Sequence, residues 1–287
     1  AGYLLQGAEI VALGNSAGYN NQGDYGVAIG YNSGNQNQGD GAVAIGWETG
    51  LTSQGIYSVS IGTDAGKTIQ GANAIAIGYQ AGRDNQNAGS VAIGYQAGFD
   101  PQGINSVAIG YQAGMQNQGG GAIAIGQQAG GFFNTPATPG QGANAIAIGN
   151  LSGYQEQGTN SIAIGKEAGN QIQDDYSIAI GNSAGHIGQK ENSIAIGNSA
   201  GDSYPNTKSI AIGYQAGQLY LGDGCIAIGD QAGYGDGNSD YISTNSMSIG
   251  RQAGYKNQND FSIAIGYQAG NQNLKFDAIA IGNSAGK

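Results

Sequence analysis

A single short phrase, repeated at a fixed spacing, decides what this chain can fold into. The stretch Ala74 to Gly82, reading Ala-Ile-Ala-Ile-Gly-Tyr-Gln-Ala-Gly, recurs in near-copies along all 287 residues. Aligned on the glycine after the apolar pair, seventeen copies place that glycine at 14, 30, 46, 62, 78, 94, 110, 126, 149, 165, 181, 197, 213, 229, 250, 266 and 282. Fourteen of the sixteen intervals are 16 residues, and the other two, 23 and 21, are the same period with insertions of seven and five. Self-similarity at so short a period implies a stack of identical units, none of which could bury a core alone.

Each copy alternates Val or Ile, a small residue, and Ile or Leu before its glycine. Such alternation marks a short strand. A second glycine four residues later suits a corner with φ > 0 or close backbone approach. Glycine recurs too often for a helix, since each costs about 1 kcal/mol there. The expected fold is therefore all-β: a single parallel β-solenoid, or β-roll, of about seventeen 16-residue coils covering 1–287. The two insertions, near 131–140 and 234–241, should protrude as loops.

Within a strand, Val91 and Ile93 point to one side and Ser90 and Ala92 to the other. On the rule that large apolar side chains are buried, the Val/Ile positions, Ile109 among them, are expected inside. The small residues are then expected outside. Thirty-three of those 34 small-face positions are Ala, Ser, Gly or Cys, the exception being Ile10. A strand face in water normally carries larger polar residues. The small face Ser90, Ala92, Ser106, Ala108, Ala145, Ala147, Ser161, Ala163, Ser193 and Ala195 thus reads as a self-association surface, packed closely against another copy. The alternative is that small residues relieve crowding in tightly bent coils. Cys225 stands at one of these positions as a substitute for Ser or Ala.

Four residues after the corner glycine stands Gln, opening with Gln6, Gln22, Gln38, Gln54, Gln70, Gln86, Gln102 and Gln118; Pro205, Leu221, Ile242 or Leu274 replace it elsewhere. A position that exchanges Gln only for apolar residues reads as inward-facing, which predicts a buried ladder of amides bonded coil to coil. Tyr follows the strand glycine at 31, 79, 95, 111, 214 and 267, and Trp at 47. The row Tyr79, Tyr95, Tyr111 reads as a stacked ladder, with glycan or flat-ligand binding as the alternative.

Chemistry of other kinds finds little support. The one histidine, His186, permits neither a His-rich metal cluster nor a Ser-His-Asp arrangement, so no enzymatic activity is expected. The oxygen ligands Asp236, Asn238 and Asp240 alternate as a calcium loop begins, but Tyr241 and Met247 stand where that loop needs Gly and Glu. One cysteine allows no internal disulfide. A net charge of −10 disfavours nucleic acid and anionic lipid, and no apolar run approaches a membrane span.

The runs Asn105-Ser106-Val107-Ala108-Ile109-Gly110, Asn160-Ser161-Ile162-Ala163-Ile164-Gly165 and Asn192-Ser193-Ile194-Ala195-Ile196-Gly197 resemble the head repeat of YadA-like trimeric autotransporter adhesins. They are also similar to viral and phage fibre repeats. The resemblance implies a left-handed parallel β-roll packed as a trimer, at a cell surface or outside the cell. It further implies binding to extracellular matrix or neighbouring cells, while glycans are the partner that the Tyr row would take in the alternative reading. The longer period and the Gly-Tyr-Gln-Ala-Gly corner depart from that family's pattern. The expected function is a self-assembling structural protein of a surface fibre, filament or sheath, with an adhesive role, whose first partner is another copy of itself. Ala1-Gly2 and Ala285-Gly286 stand at one phase of the repeat, which reads as end-to-end joining of open coils.

Overall fold

A coil of 16 residues must turn back on itself quickly, and the chain does so with residues in the left-handed conformation. In the coil around Gly94, the corner residues Gln96, Gly98 and Asn105 have φ of 52°, 53° and 56°. Outside glycine such angles are uncommon, Asn being the most tolerant. Two of these corners are four-residue turns, closed where the Ala81 amide donates to the Gly78 carbonyl at 3.5 Å and the Ser106 amide to the Gly103 carbonyl at 3.4 Å. A left-handed third residue is the signature of a type II turn. At the strand's end Gly94, with φ of 128°, is needed for another reason: a Cβ there would lie 2.5 Å from the Gly110 carbonyl oxygen of the next coil.

The computed structural model describes residues 1–131, 140–235 and 243–286. The chain is all-β, a parallel β-solenoid of about 16 turns. Two compact units are distinguished, Ala1–Ala145 and Ile146–Lys287. In the first, eight Val-Ala-Ile strands from Val11–Leu13 to Ile123–Ile125 pair in parallel, and a second parallel sheet of eight runs from Leu4–Gln6 to Gln116–Gln118. Register is strict, with Val91 opposite Val107, Ala92 opposite Ala108 and Ile93 opposite Ile109. In the second unit nine such strands run from Ile146–Ile148 to Ile279–Ile281. Among the described residues their companion sheet has three strands, Gln155–Gln157, Gln171–Gln173 and Ile187–Gln189, and continues as isolated bridges at Ser203, Leu219 and Lys256. It thins where Gln gives way to Pro205, which has no amide hydrogen to donate.

The faces of the strands are the reverse of the sequence expectation. Ser90, Ala92, Ser106, Ala108, Ala145, Ala147, Ser161, Ala163, Ser193 and Ala195 are all fully buried, so they line the interior and are not a self-association surface. Val91, Ile93, Val107 and Ile109 point outward and are half-buried only by their neighbours in the same column. The reason is the thickness of the coil. Two sheets joined by such tight corners leave an interior filled by Ala methyls, Ser hydroxyls and one flat Gln per coil. The gap at Gly98 shows how little space remains, since a Cβ there would sit 2.7 Å from Gln102 Oε1. Two branched side chains per strand cannot enter such a gap, so Val and Ile go outside.

The reversal predicts opposite outcomes at neighbouring positions. Ala108→Asp puts an unpaired charge in the dry interior and should cost several kcal/mol, read as a large fall in the denaturation midpoint. Ile109→Asp lies on the outer face and should change the stability of the isolated chain by about 1 kcal/mol or less. Equal losses at both positions would contradict the assignment of faces.

Candidate interaction face

The outward pair of each strand is apolar in every copy: all 34 positions flanking the central small residue are Val, Ile, Leu or Met. None of them is buried. β-branched residues stacked in register shield one another along the column, which holds most of them at intermediate exposure. The result in the first unit is a strip two side chains wide and roughly 35 Å long, taking eight strands at ~4.8 Å each. The second unit carries its own strip on nine strands. No charged residue occurs at any of these positions. Five of the eight outward middle residues of the companion sheet in the first unit are polar, Asn21, Asn37, Ser53, Asn85 and Asn117, with Leu5, Ile69 and Pro101 as exceptions. An exposed apolar strip of this extent on a folded chain is a candidate interaction surface.

Behind the strip, the glutamines form the ladder expected of them. Gln102 donates from Nε2 to the Val91 carbonyl at 2.8 Å, tying the two sheets of one coil together. The Nε2 of Gln70 donates to Gln86 Oε1, and that of Gln86 to Gln102 Oε1, both at 3.1 Å, tying coil to coil. Gln157, Gln173 and Gln189 repeat the pattern at 3.2 and 3.1 Å. Where Gln is replaced, Leu221 and Pro205 are buried in its place. The ladder has gaps, because the side-chain oxygens of Gln22, Gln38 and Gln54 lack a partner.

Two further ladders were not anticipated. On the surface, Gln96, Gln112 and Gln128 each donate to the Gln one coil before, at 2.9, 3.0 and 3.1 Å. Gln231, Gln252 and Gln268 do the same at 2.9 to 3.0 Å, Gln215 being the first acceptor of that run. At another corner, carboxylates accept backbone amides of the preceding coil: Asp24 from Ala8 at 2.7 Å, Asp175 from Thr159 at 2.6 Å and Asp223 from Thr207 at 3.0 Å. The repeated Tyr-Gln of the corner was the signal for the first. The second had none beyond a scattered Asp.

Charges on the coil edges are similarly local. Strict register stacks Glu48 on Asp64, and Lys67 relieves the repulsion by reaching both at 2.8 and 2.9 Å. The hydrogen bond to Glu48 raises the Lys67 pKa. His186 pairs through Nδ1 with Asp202 on the next coil at 3.3 Å, and that bond raises its pKa against the opposing effect of burial. Burial pushes the Cys225 thiol up, and the thiol donates to the Ser243 carbonyl inside the stack. Among the described residues no group of three or more His, Cys, Asp and Glu could hold a metal ion. Asp236, Asn238 and Asp240 lie outside the described residues, as do most of the two insertions.

Tyr79, Tyr95 and Tyr111 stack as expected, with ring centroids 5.1 and 5.2 Å apart and interplanar angles of 19° and 9°. Their faces are turned toward one another along the row. Within the row, the faces between successive rings are occupied by the neighbouring ring.

Two measurements follow. Gln86→Leu should be tolerated, because Leu221 and Leu274 already fill the same position, whereas Gln86→Glu places a charge in the ladder and should cost roughly 2 to 4 kcal/mol, read by chemical denaturation. For His186 the folded pKa is the higher one, so its contribution is fully present below about 6.5 and lost as pH rises through the raised value. His186→Asn should flatten the pH dependence of the melting temperature in that window; an unchanged profile would show that the pair contributes nothing.

The family model of the YadA head domain repeat matches the chain in two copies, at residues 102–114. No curated protein matches the chain. The matched residues run from the Gln102 rung through the Val107-Ala108-Ile109 strand to the corner at Gly114, so over this stretch the chain is similar to the YadA head repeat.

Proposed function

We propose that the chain is a structural protein of a cell-surface, adhesin-type fibre that works as a closed assembly of identical copies joined through the Val/Ile strip, with no catalytic role. The observation that carries this reading is the strip itself: 34 outward apolar positions with no charged residue among them. Burying it is worth about 25 cal/mol per Å² of apolar area removed from water, repeated coil after coil. A sheet face of β-branched residues in strict register is also self-complementary, so two or three copies can meet along it.

Closure is favoured over an open lateral lattice by the inequality of the surfaces. A lattice needs a second surface on each copy to receive the next one. The companion sheet is mostly polar, whereas the apolar strip is satisfied once its copies face a common axis. The resemblance to YadA-like heads supports three copies. The corners, with their Tyr, Asn and Gln, are then what the fibre presents to matrix, glycan or a neighbouring cell.

Static light scattering on the purified chain tests this. The expected mass is a small integer multiple of 28.8 kDa. Ile93→Lys combined with Ile109→Lys should give a folded monomer with unchanged β circular dichroism. A native chain that is monomeric at micromolar concentration, or a double variant that assembles as before, would overturn the reading.

A further inference from the structure

Strict register does more than stack tyrosines for stability: it brings phenols together in pairs that an oxidant could join. Five pairs of Tyr in successive coils lie face to face. These are Tyr3 and Tyr19, Tyr79 and Tyr95, Tyr95 and Tyr111, Tyr204 and Tyr220, and Tyr234 and Tyr255, with centroids 5.0 to 5.8 Å apart. Interplanar angles are 19° or less. Near-parallel rings related by the coil repeat bring the ortho carbons of successive phenols within reach of one another once the rings tilt. Tyr79, Tyr95 and Tyr111 are 44 to 48% exposed, so an oxidant can reach them. They stand at the corner after the strand glycine, beyond the Val/Ile columns.

Other tyrosines on the same scaffold lack a ring in the neighbouring coil. Tyr214 has Asn198 and Asp230 at its register positions, and Tyr267 has Arg251 and Asn283. Tyr176 lies between Asn160 and Asn192. These residues share the exposure of the stacked ones, at 45 to 55%. They differ in having no ring to couple to.

We propose that the stacked tyrosines, above all Tyr79, Tyr95 and Tyr111, are sites of oxidative cross-linking that fasten successive coils by a carbon–carbon bond between ortho positions. The oxidant class is hydrogen peroxide acting through a haem peroxidase. Each phenol gives up one electron and its hydroxyl proton, forming two phenoxyl radicals. The radicals join at their ortho carbons, and the two ring hydrogens there move to the oxygens to restore both phenols. The peroxide O–O bond breaks, takes up the two electrons and two protons, and leaves as two waters. Tyr95 has two ortho carbons and can be joined to both neighbours. The bond requires the rings to tilt out of parallel, which exposed side chains can do. This inference rests on the register of the coils and not on the proposed assembly.

The test uses the full chain at high dilution with a haem peroxidase and hydrogen peroxide, followed by proteolysis and mass spectrometry of linked peptides. The expected result is intramolecular links, each with the loss of two hydrogens, between residues 79 and 95, 95 and 111, and the other stacked pairs. Tyr95→Phe should abolish the links from Tyr79 and Tyr111, and Tyr214→Phe should leave the total yield of dityrosine unchanged. Treatment in concentrated guanidinium, where register is lost, should scatter the links among all tyrosines. Links that involve Tyr176, Tyr214 and Tyr267 as often as the stacked residues in the folded chain, or links formed only between molecules, would overturn the proposal. So would a Tyr95→Phe chain whose links at 79 and 111 persist.

Discussion

The parallel hydrogen bonding of each coil to the next, in strict register, is the interaction on which everything else depends. Backbone amides meet carbonyls of the neighbouring coil through the strands and also through the corners, as where the Gly98 amide donates to the Ala113 carbonyl at 2.9 Å. In an ordinary domain a large apolar core drives folding. Here the interior is Ala, Ser and Gln, so each coil contributes little buried apolar area of its own. Stability must come from many coils, each satisfying the backbone of its neighbours. Glycine at the strand end follows directly, because the Gly94 position approaches the Gly110 carbonyl too closely to admit a Cβ.

Register has a second consequence, which is that wherever the repeat keeps a residue, its side chain meets its own kind. Buried Gln meets Gln, surface Gln meets Gln, Tyr meets Tyr, and the amides and rings gain from it. Acidic residues in one column lose by it, and Lys67 between Glu48 and Asp64 shows the remedy. The apolar strip arises in the same way. An interior too thin for branched side chains turns Val and Ile outward, and register lines them up into one surface. A chain that solves its folding problem with a small core is therefore left with a long apolar surface to cover.

The period, the all-β class, the parallel stacking, the buried Gln ladder and the Tyr stack were all legible in the sequence, because each is a matter of spacing. The facing of the strands was not. Alternation tells that Val91 and Ala92 point to opposite sides but does not tell which side is the interior. The usual assumption that bulk goes inside fails when the corners leave no room for it. The signal that could have corrected it was the near-absence of anything larger than Ser or Cys at 33 of 34 positions. A surface tolerates occasional large residues over so many copies, whereas a tight interior does not. The Asp carboxylates that accept amides at the corners were illegible because they occupy only some copies.

Thiol accessibility tests the central claim most directly, using Ala92→Cys and Ile93→Cys, each made with Cys225→Ser. In the folded, dispersed chain a maleimide should modify the thiol at 93 readily and the thiol at 92 only after unfolding. In the assembled protein both should be protected. A thiol at 92 that reacts as fast as one at 93 in the folded, dispersed chain would contradict the account.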